Sequence, residues 1–182
     1  MKWVFTYKVN QDGYFVKCKA RIVVRGDLQI TNTLHLTYAA TLAARSFRTA
    51  MAIATHFDLE IMQYDVVGAF LYANRENQPE VICKLPNGYK VPGKCVKLKK
   101  ALYGLKDSPL LWYEELSRLL EKLRLLSSKE EPCLFFDKER KILLLFYVDD
   151  ILQMYHRLAI ELASNVVKAL QSTYKIEEKG PV

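Results

Sequence analysis

Ile142-Leu143-Leu144-Leu145-Phe146-Tyr147-Val148-Asp149-Asp150-Ile151-Leu152-Gln153-Met154 joins two apolar runs through a pair of aspartates. The seven apolar residues before the pair read as a buried strand, and Ile151-Leu152 resumes that character after it. Aspartate is common in turns, so a surface turn accounts for either residue alone. Two adjacent carboxylates between buried runs are harder to place, because each opposes ionisation of the other and both lose water unless a cation is near. A third carboxylate, Asp65, ends another short strand within Gln63-Tyr64-Asp65-Val66-Val67-Gly68-Ala69-Phe70. Strand ends from distant segments meet in a sheet, so the three could surround a pair of hard divalent cations, which take oxygen ligands. Two such cations clamp the attacking and leaving oxygens of an in-line phosphoryl displacement.

Upstream of the pair, Leu134-Phe135-Phe136 and the polar turn at 137–141 complete a hairpin with residues 142–148. A helix is expected from Ser108-Pro109, with serine placed to accept from a first-turn amide and proline already at helical φ. Its apolar stripe is Trp112, Leu116, Leu119, Leu120, Leu123 and Leu126. Short strands at 80–85 and 94–98 flank the turn Pro86-Asn87-Gly88, behind a polar break at 74–79. Residues 59–67 read as a strand holding Asp65. Residues 42–57 read as a helix buried through Ala43, Phe47, Ala50, Met51, Ala54 and Phe57. Downstream, 158–170 is a third helix and 174–177 a last strand. Residues 26–37 show no period and read as a loop. Helices mixed with antiparallel hairpins make the fold class α+β.

The first 25 residues alternate with period two about the turn Asn10-Gln11-Asp12-Gly13, which predicts a second hairpin. On its return strand Lys17, Lys19, Arg21 and Arg25 share one face. Such a face is either solvated or covered by something anionic. The whole chain agrees with an anionic partner without proving one: 27 Lys+Arg against 20 Asp+Glu give a net charge of +7. Cys18, Cys83, Cys95 and Cys133 are dispersed and share no ligand spacing with the histidines, which excludes a zinc framework and predicts buried reduced thiols. Apolar runs too short for a membrane span, with Lys2 and Lys8 interrupting the start, predict an intracellular chain with no signal peptide, transmembrane segment or membrane partner.

The ordered set Lys2-Trp3-Val4-Phe5, residues 19–26, residues 63–71, residues 99–109, Trp112-Tyr113 and residues 147–152 resembles the reverse transcriptase domain of copia-type long-terminal-repeat retrotransposons. A Tyr-x-Asp-Asp alone is weak, but these segments follow the family's order and nearly span the chain. The resemblance implies a right-hand polymerase fold with fingers near 1–38 and 75–104 and palm at 39–74 and 105–182. The thumb is expected to be absent, with no ribonuclease H or integrase part. It implies an RNA-directed DNA polymerase working by two-metal nucleotidyl transfer, in a cytoplasmic particle or the nucleus. Asp65, Asp149 and Asp150 would be the catalytic carboxylates. They and the Val66 carbonyl would ligate two Mg²⁺ ions, with Mn²⁺ as a substitute. Lys17, Lys19 and Arg21 would hold the incoming deoxynucleoside triphosphate, and Phe70 would exclude a 2′-hydroxyl. Gly104, Leu105 and Lys106 would pack on the nucleotide and template. The implied macromolecular partner is an RNA or DNA template with its primer. Arg45, Arg48 and Lys97 to Lys100 would meet its backbone or form solvated surface. The alternative is an inactive remnant that keeps the fold and its nucleic-acid binding.

The chain departs from the family's pattern in four places. Tyr64 stands where methionine is usual, and Gly68-Ala69 replaces Thr-Ala. Lys106-Asp107-Ser108-Pro109 replaces Lys-Gln-Ala-Pro, bringing a negative charge toward the nucleotide-binding segment. Residues 153–157 read as a small deletion.

Overall fold

Apolar residues at alternate positions of two adjacent strands give the sheet two buried faces, and helices cover both. The computed structural model describes residues 1–29 and 39–182, so most of the loop expected at 26–37 lies outside the described residues. The chain runs β1 (Lys2–Val9), β2 (Phe15–Val23), α1 (Ala44–His56), β3 (Glu60–Val66), β4 (Ile82–Cys83), β5 (Val96–Lys97), α2 (Ser108–Lys122), β6 (Leu126–Ser127), β7 (Leu134–Phe136), β8 (Ile142–Tyr147), β9 (Asp150–Tyr155), α3 (Ile160–Thr173) and β10 (Ile176–Pro181). Six strands form an antiparallel sheet in the order β10-β3-β9-β8-β7-β6, while β1-β2 and β4-β5 are separate hairpins.

Ile142, Leu144, Phe146 and Ile151 point to one face with Tyr64 and Val66, where they meet Trp112, Leu116 and Leu120 of α2 and Ala163, Val166 and Leu170 of α3. Leu145 and Met154 point to the other face and meet Ala50 and Ala54 of α1. Each fully buried Leu, Ile or Phe contributes roughly 1.5–3 kcal/mol of transfer free energy, so apolar burial is the main anchor of the helices on both faces. On the α3 side Gln153, fully buried, donates from its side-chain amide to the Ala163 carbonyl at 3.1 Å.

Several local expectations are corrected. The N-cap of α2 is Asp107, and the Ser108 hydroxyl instead exchanges hydrogen bonds with the backbone of Leu102 at 2.8 and 3.0 Å. Leu126 leaves the helical stripe to start β6, paired with Phe136. α1 is buried only along the Ala50–Ala54 seam, with Phe47 and Phe57 exposed. Cys83 and Cys133 are buried, but Cys18 and Cys95 are exposed. Residues 153–155 continue β9, with Tyr155 paired to both Glu60 and Ile142, and the His156 amide donates to the Lys141 carbonyl. β10 runs to Pro181, past the expected end, because an edge strand tolerates proline.

Candidate active site

Asp150, the first residue of β9, stands opposite Asp65 of β3. On the other side of Asp65, Glu177 of β10 is its partner. Directly opposed residues of antiparallel strands share a face, so Glu177, Asp65 and Asp150 form an acidic row across three strands. The row lies on the α1 side of the sheet, since Asp65 and Asp150 fall in phase with Ile61 and Met154.

Asp149 joins the row through the turn between β8 and β9. Its carbonyl accepts from the Val66 amide at 2.8 Å, which fixes it beside the end of β3. Val148, before it, takes φ +57°, an uncommon conformation for a β-branched residue. The Trp112 indole N–H holds that residue by donating to its carbonyl at 2.6 Å. Burial pushes the Asp149 carboxyl above the usual carboxylate range, and the charges of Asp65 and Asp150 add to it; its own backbone amide and Lys19 pull the other way. Crowded, partly desolvated carboxylates of this kind fit a divalent cation, which would remove their mutual repulsion. Among the described residues, however, no three His, Cys, Asp or Glu side chains stand in metal-holding positions. Asp150 accepts from the Gln63 amide at 3.3 Å, and the Lys179 ammonium lies 3.9 Å from Asp65. The donor chemistry is therefore present and the side chains are engaged elsewhere.

Facing the row is the cationic side of β2. Lys17 pairs with Lys8, Lys19 with Thr6 and Arg21 with Val4, so the four cations crowd one face of the hairpin. Partial burial lowers the Lys19 ammonium from its ordinary value, with Arg21 and Lys8 adding to the effect, while Asp65 and Asp149 oppose it. Lys19 and the two aspartates thus lie within each other's fields. Lys17 acts likewise on Glu177. Arg25, the fourth cation expected on this face, lies beyond the end of β2 and pairs with Asp27 at 2.6 Å.

Two glycines seat the hairpin. The Val24 amide donates to the Tyr103 carbonyl at 2.8 Å. A Cβ on Gly104, whose φ is +89°, would come 2.1 Å from the Val24 carbonyl oxygen, and one on Gly26 would come 2.0 Å from that of Gly104. No side chain fits at either position. Between these segments the Tyr103 ring packs 4.8 Å from the Phe70 ring, with the Arg21 guanidinium 5.8 Å from its centre. Burial raises the Tyr103 hydroxyl above its usual range, followed by the charge of Asp149.

Asp65, Val66, Asp149 and Asp150 therefore come together, and Lys17, Lys19 and Arg21 face them. Phe70 and Gly104 join through Tyr103. Lys106 turns to Gln29, whose backbone carbonyl accepts from its ammonium at 3.2 Å. Arg45, Arg48, Lys99 and Lys100 are exposed, and Lys97 pairs with Glu80. The charge of Asp107 is held away from residues 104–106, because the buried Arg75 guanidinium pairs with it. Sequence reasoning missed Tyr103, Gln63, Glu177, Lys179 and the Arg75–Asp107 pair. Nothing local announces Arg75, and the bulge that leaves Lys179 without a partner appears only in the pairing of β10 with β3.

All of residues 1–182 match the family model described as reverse transcriptase (RNA-dependent DNA polymerase). The chain is 36% identical over 158 residues to a retrovirus-related Pol polyprotein from transposon TNT 1-94 of Nicotiana tabacum, covering 83% of this chain and 12% of that protein. It is 34% identical over 157 residues to a Pol polyprotein from transposon RE1 of Arabidopsis thaliana, covering 83% and 11%. It is 30% identical over 151 residues to a transposon Ty1-NL2 Gag-Pol polyprotein of Saccharomyces cerevisiae, covering 82% and 8%. The chain thus spans 8 to 12% of the length of these relatives.

Proposed function

This chain belongs to the reverse transcriptase family of copia-type Pol polyproteins, and from that premise we propose that its acidic row and facing cationic strand form the nucleotide-adding site of an RNA-directed DNA polymerase domain. In this reading the six-stranded sheet with α1, α2 and α3 is the palm, spanning 39–74 and 105–182. The β1-β2 and β4-β5 hairpins, within 1–38 and 75–104, are the fingers. The observation that carries the reading is that Asp65 stands opposite Asp150 while the Val66 amide, donating to the Asp149 carbonyl at 2.8 Å, holds Asp149 beside them. A cationic strand facing a carboxylate cluster leaves room for a ligand with phosphates on one side and cations on the other.

Lys17, Lys19 and Arg21 bind the triphosphate of the incoming deoxynucleotide, and Tyr103 keeps the Arg21 guanidinium in place. The Asp65, Asp149 and Asp150 carboxylates and the Val66 carbonyl would hold two Mg²⁺ or Mn²⁺ ions. When bound, these ions supply charge that eases deprotonation of the primer 3′-hydroxyl and offsets the charge of the departing pyrophosphate. Phe70, backed by Tyr103, closes the sugar side against a 2′-hydroxyl. Gly104 lets the backbone approach the base pair. Lys106 exchanges Gln29 for a phosphate when substrate is present. The template–primer duplex binds through release of its counter-ions by the remaining positive surface.

Templated extension of a primer on RNA, in Mg²⁺ with deoxynucleotides, tests the assignment. The wild-type chain should extend the primer and Asp149→Asn should not; equal extension by both would overturn it.

A further inference from the structure

Glu178 pairs with Tyr64 and Gly180 with Gln63, which leaves Lys179 in a bulge with no partner on β3. Bulges re-aim a side chain, and Gly180 at φ +100° supplies the backbone conformation this one uses. The re-aimed ammonium lies 2.7 Å from a Glu177 carboxylate oxygen and 3.9 Å from one of Asp65. It thereby bridges two members of a row in which three carboxylates stand side by side across adjacent strands. Like charges in directly opposed positions destabilise a sheet, and one ammonium between two of them offsets that repulsion.

We propose that Lys179 is a tethered counter-ion of the acidic row, one that holds Asp65 in the metal-free chain and competes there with a divalent cation. The inference rests on the reading of Asp65, Asp149 and Asp150 as metal-binding carboxylates. Glu177 completes the device. It has the closer contact, so it retains the ammonium once a cation takes Asp65, and the lysine swings aside without being released. Lys179 is 41% exposed on its side chain, which leaves it free to make that movement. The row is thus compensated in both states, by an ammonium without metal and by the metal when bound. Cation affinity is correspondingly weaker than three bare carboxylates would give.

The test is Mn²⁺ binding to the full chain, followed by loss of the electron paramagnetic resonance signal of free aqueous Mn²⁺. Lys179→Gln keeps most of the side-chain length and removes the charge. It should bind Mn²⁺ roughly threefold to tenfold more tightly, with the gain shrinking as salt is added. Lys179→Arg should stay near wild type. Lys168→Gln, the same charge change on the exposed side of α3, should not reproduce the gain. In the absence of metal Lys179→Gln should melt at a lower temperature than wild type, and saturating Mn²⁺ should close the difference. Unchanged or weaker Mn²⁺ binding by Lys179→Gln, or an equal gain from Lys168→Gln, would overturn the proposal. Equal Mn²⁺ binding by wild type and Asp149→Asn is a separate failure: it removes the metal-site reading itself.

Discussion

The Trp112 indole and the Val148 carbonyl are 2.6 Å apart, and that hydrogen bond ties the core of α2 to the turn carrying Asp149. Val148 sits at φ +57°, where a β-branched residue costs about 1–3 kcal/mol and persists only if its surroundings hold it. Trp112 is nearly fully buried, so the donor is fixed by packing. Trp112→Phe keeps most of the ring and loses the donor. It should lower unfolding free energy by about 1–3 kcal/mol in urea titrations and reduce nucleotide addition. Unaltered stability and activity would show that the turn needs no anchor.

The Asp149 carboxyl is raised by burial first and then by its acidic neighbours. The folded form therefore holds its proton to higher pH than the unfolded chain does. The stability contributed by that proton is complete below the unfolded value, about 3.9, and is lost as pH rises through the folded one. At neutral pH the ionised group weakens the metal-free fold. Asp149→Asn should thus melt above wild type at pH 7 in a chelator, with the gain shrinking toward pH 4. Saturating Mg²⁺ should stabilise wild type more than the variant. An Asp149→Asn chain less stable than wild type under chelation would contradict the sign.

The pairing of Arg75 with Asp107 has a measurable consequence. The Arg75 side chain is 2% exposed and that of Asp107 14%. Arg75→Leu leaves a buried carboxylate unpaired, at a cost of about 3–5 kcal/mol. Adding Asp107→Gln should recover more than about 1 kcal/mol, so the two changes should be strongly non-additive in a double-mutant cycle. Additive losses would mean the pair is not coupled.

Phe70 packs on Tyr103 and forms the proposed wall beside the sugar. Phe70→Val should reduce discrimination against ribonucleotides by roughly 10- to 200-fold, the range typical of reshaping an apolar pocket. Single-nucleotide addition with matched ribo- and deoxynucleotides measures it. A ratio equal to wild type would relocate the selectivity.

The sequence carried the strands and helices whose periodicity is strong, and it carried the acidic corner because three carboxylates and their ordered neighbours lie in short motifs. What it lacked were contacts set only by packing between distant segments. Nothing local to Lys106 shows that the Gln29 carbonyl accepts from its ammonium. Asp107 looked disruptive because Arg75 lies 32 residues away. Leu126 continued a helical stripe perfectly well, and only the presence of Phe136 alongside turns it into an edge strand. The last strand, read at 174–177, continues to Pro181 through a bulge at Lys179, and that bulge is what aims its side chain. Tyr103 lies within residues 99–109, but its place between Phe70 and Arg21 is set by packing among three segments distant in sequence.

Addition of a single deoxynucleotide to a primer annealed to RNA, in Mg²⁺, tests the central claim most directly. The wild-type chain should add the nucleotide complementary to the template in preference to the other three. Asp65→Asn and Asp149→Asn should each fall by at least about a hundredfold, as expected when a charge-stabilising group is removed from a reacting centre. Lys168→Gln, on the exposed side of α3, should match wild type. Asp149→Asn adding the templated nucleotide as fast as wild type would contradict the assignment of this site.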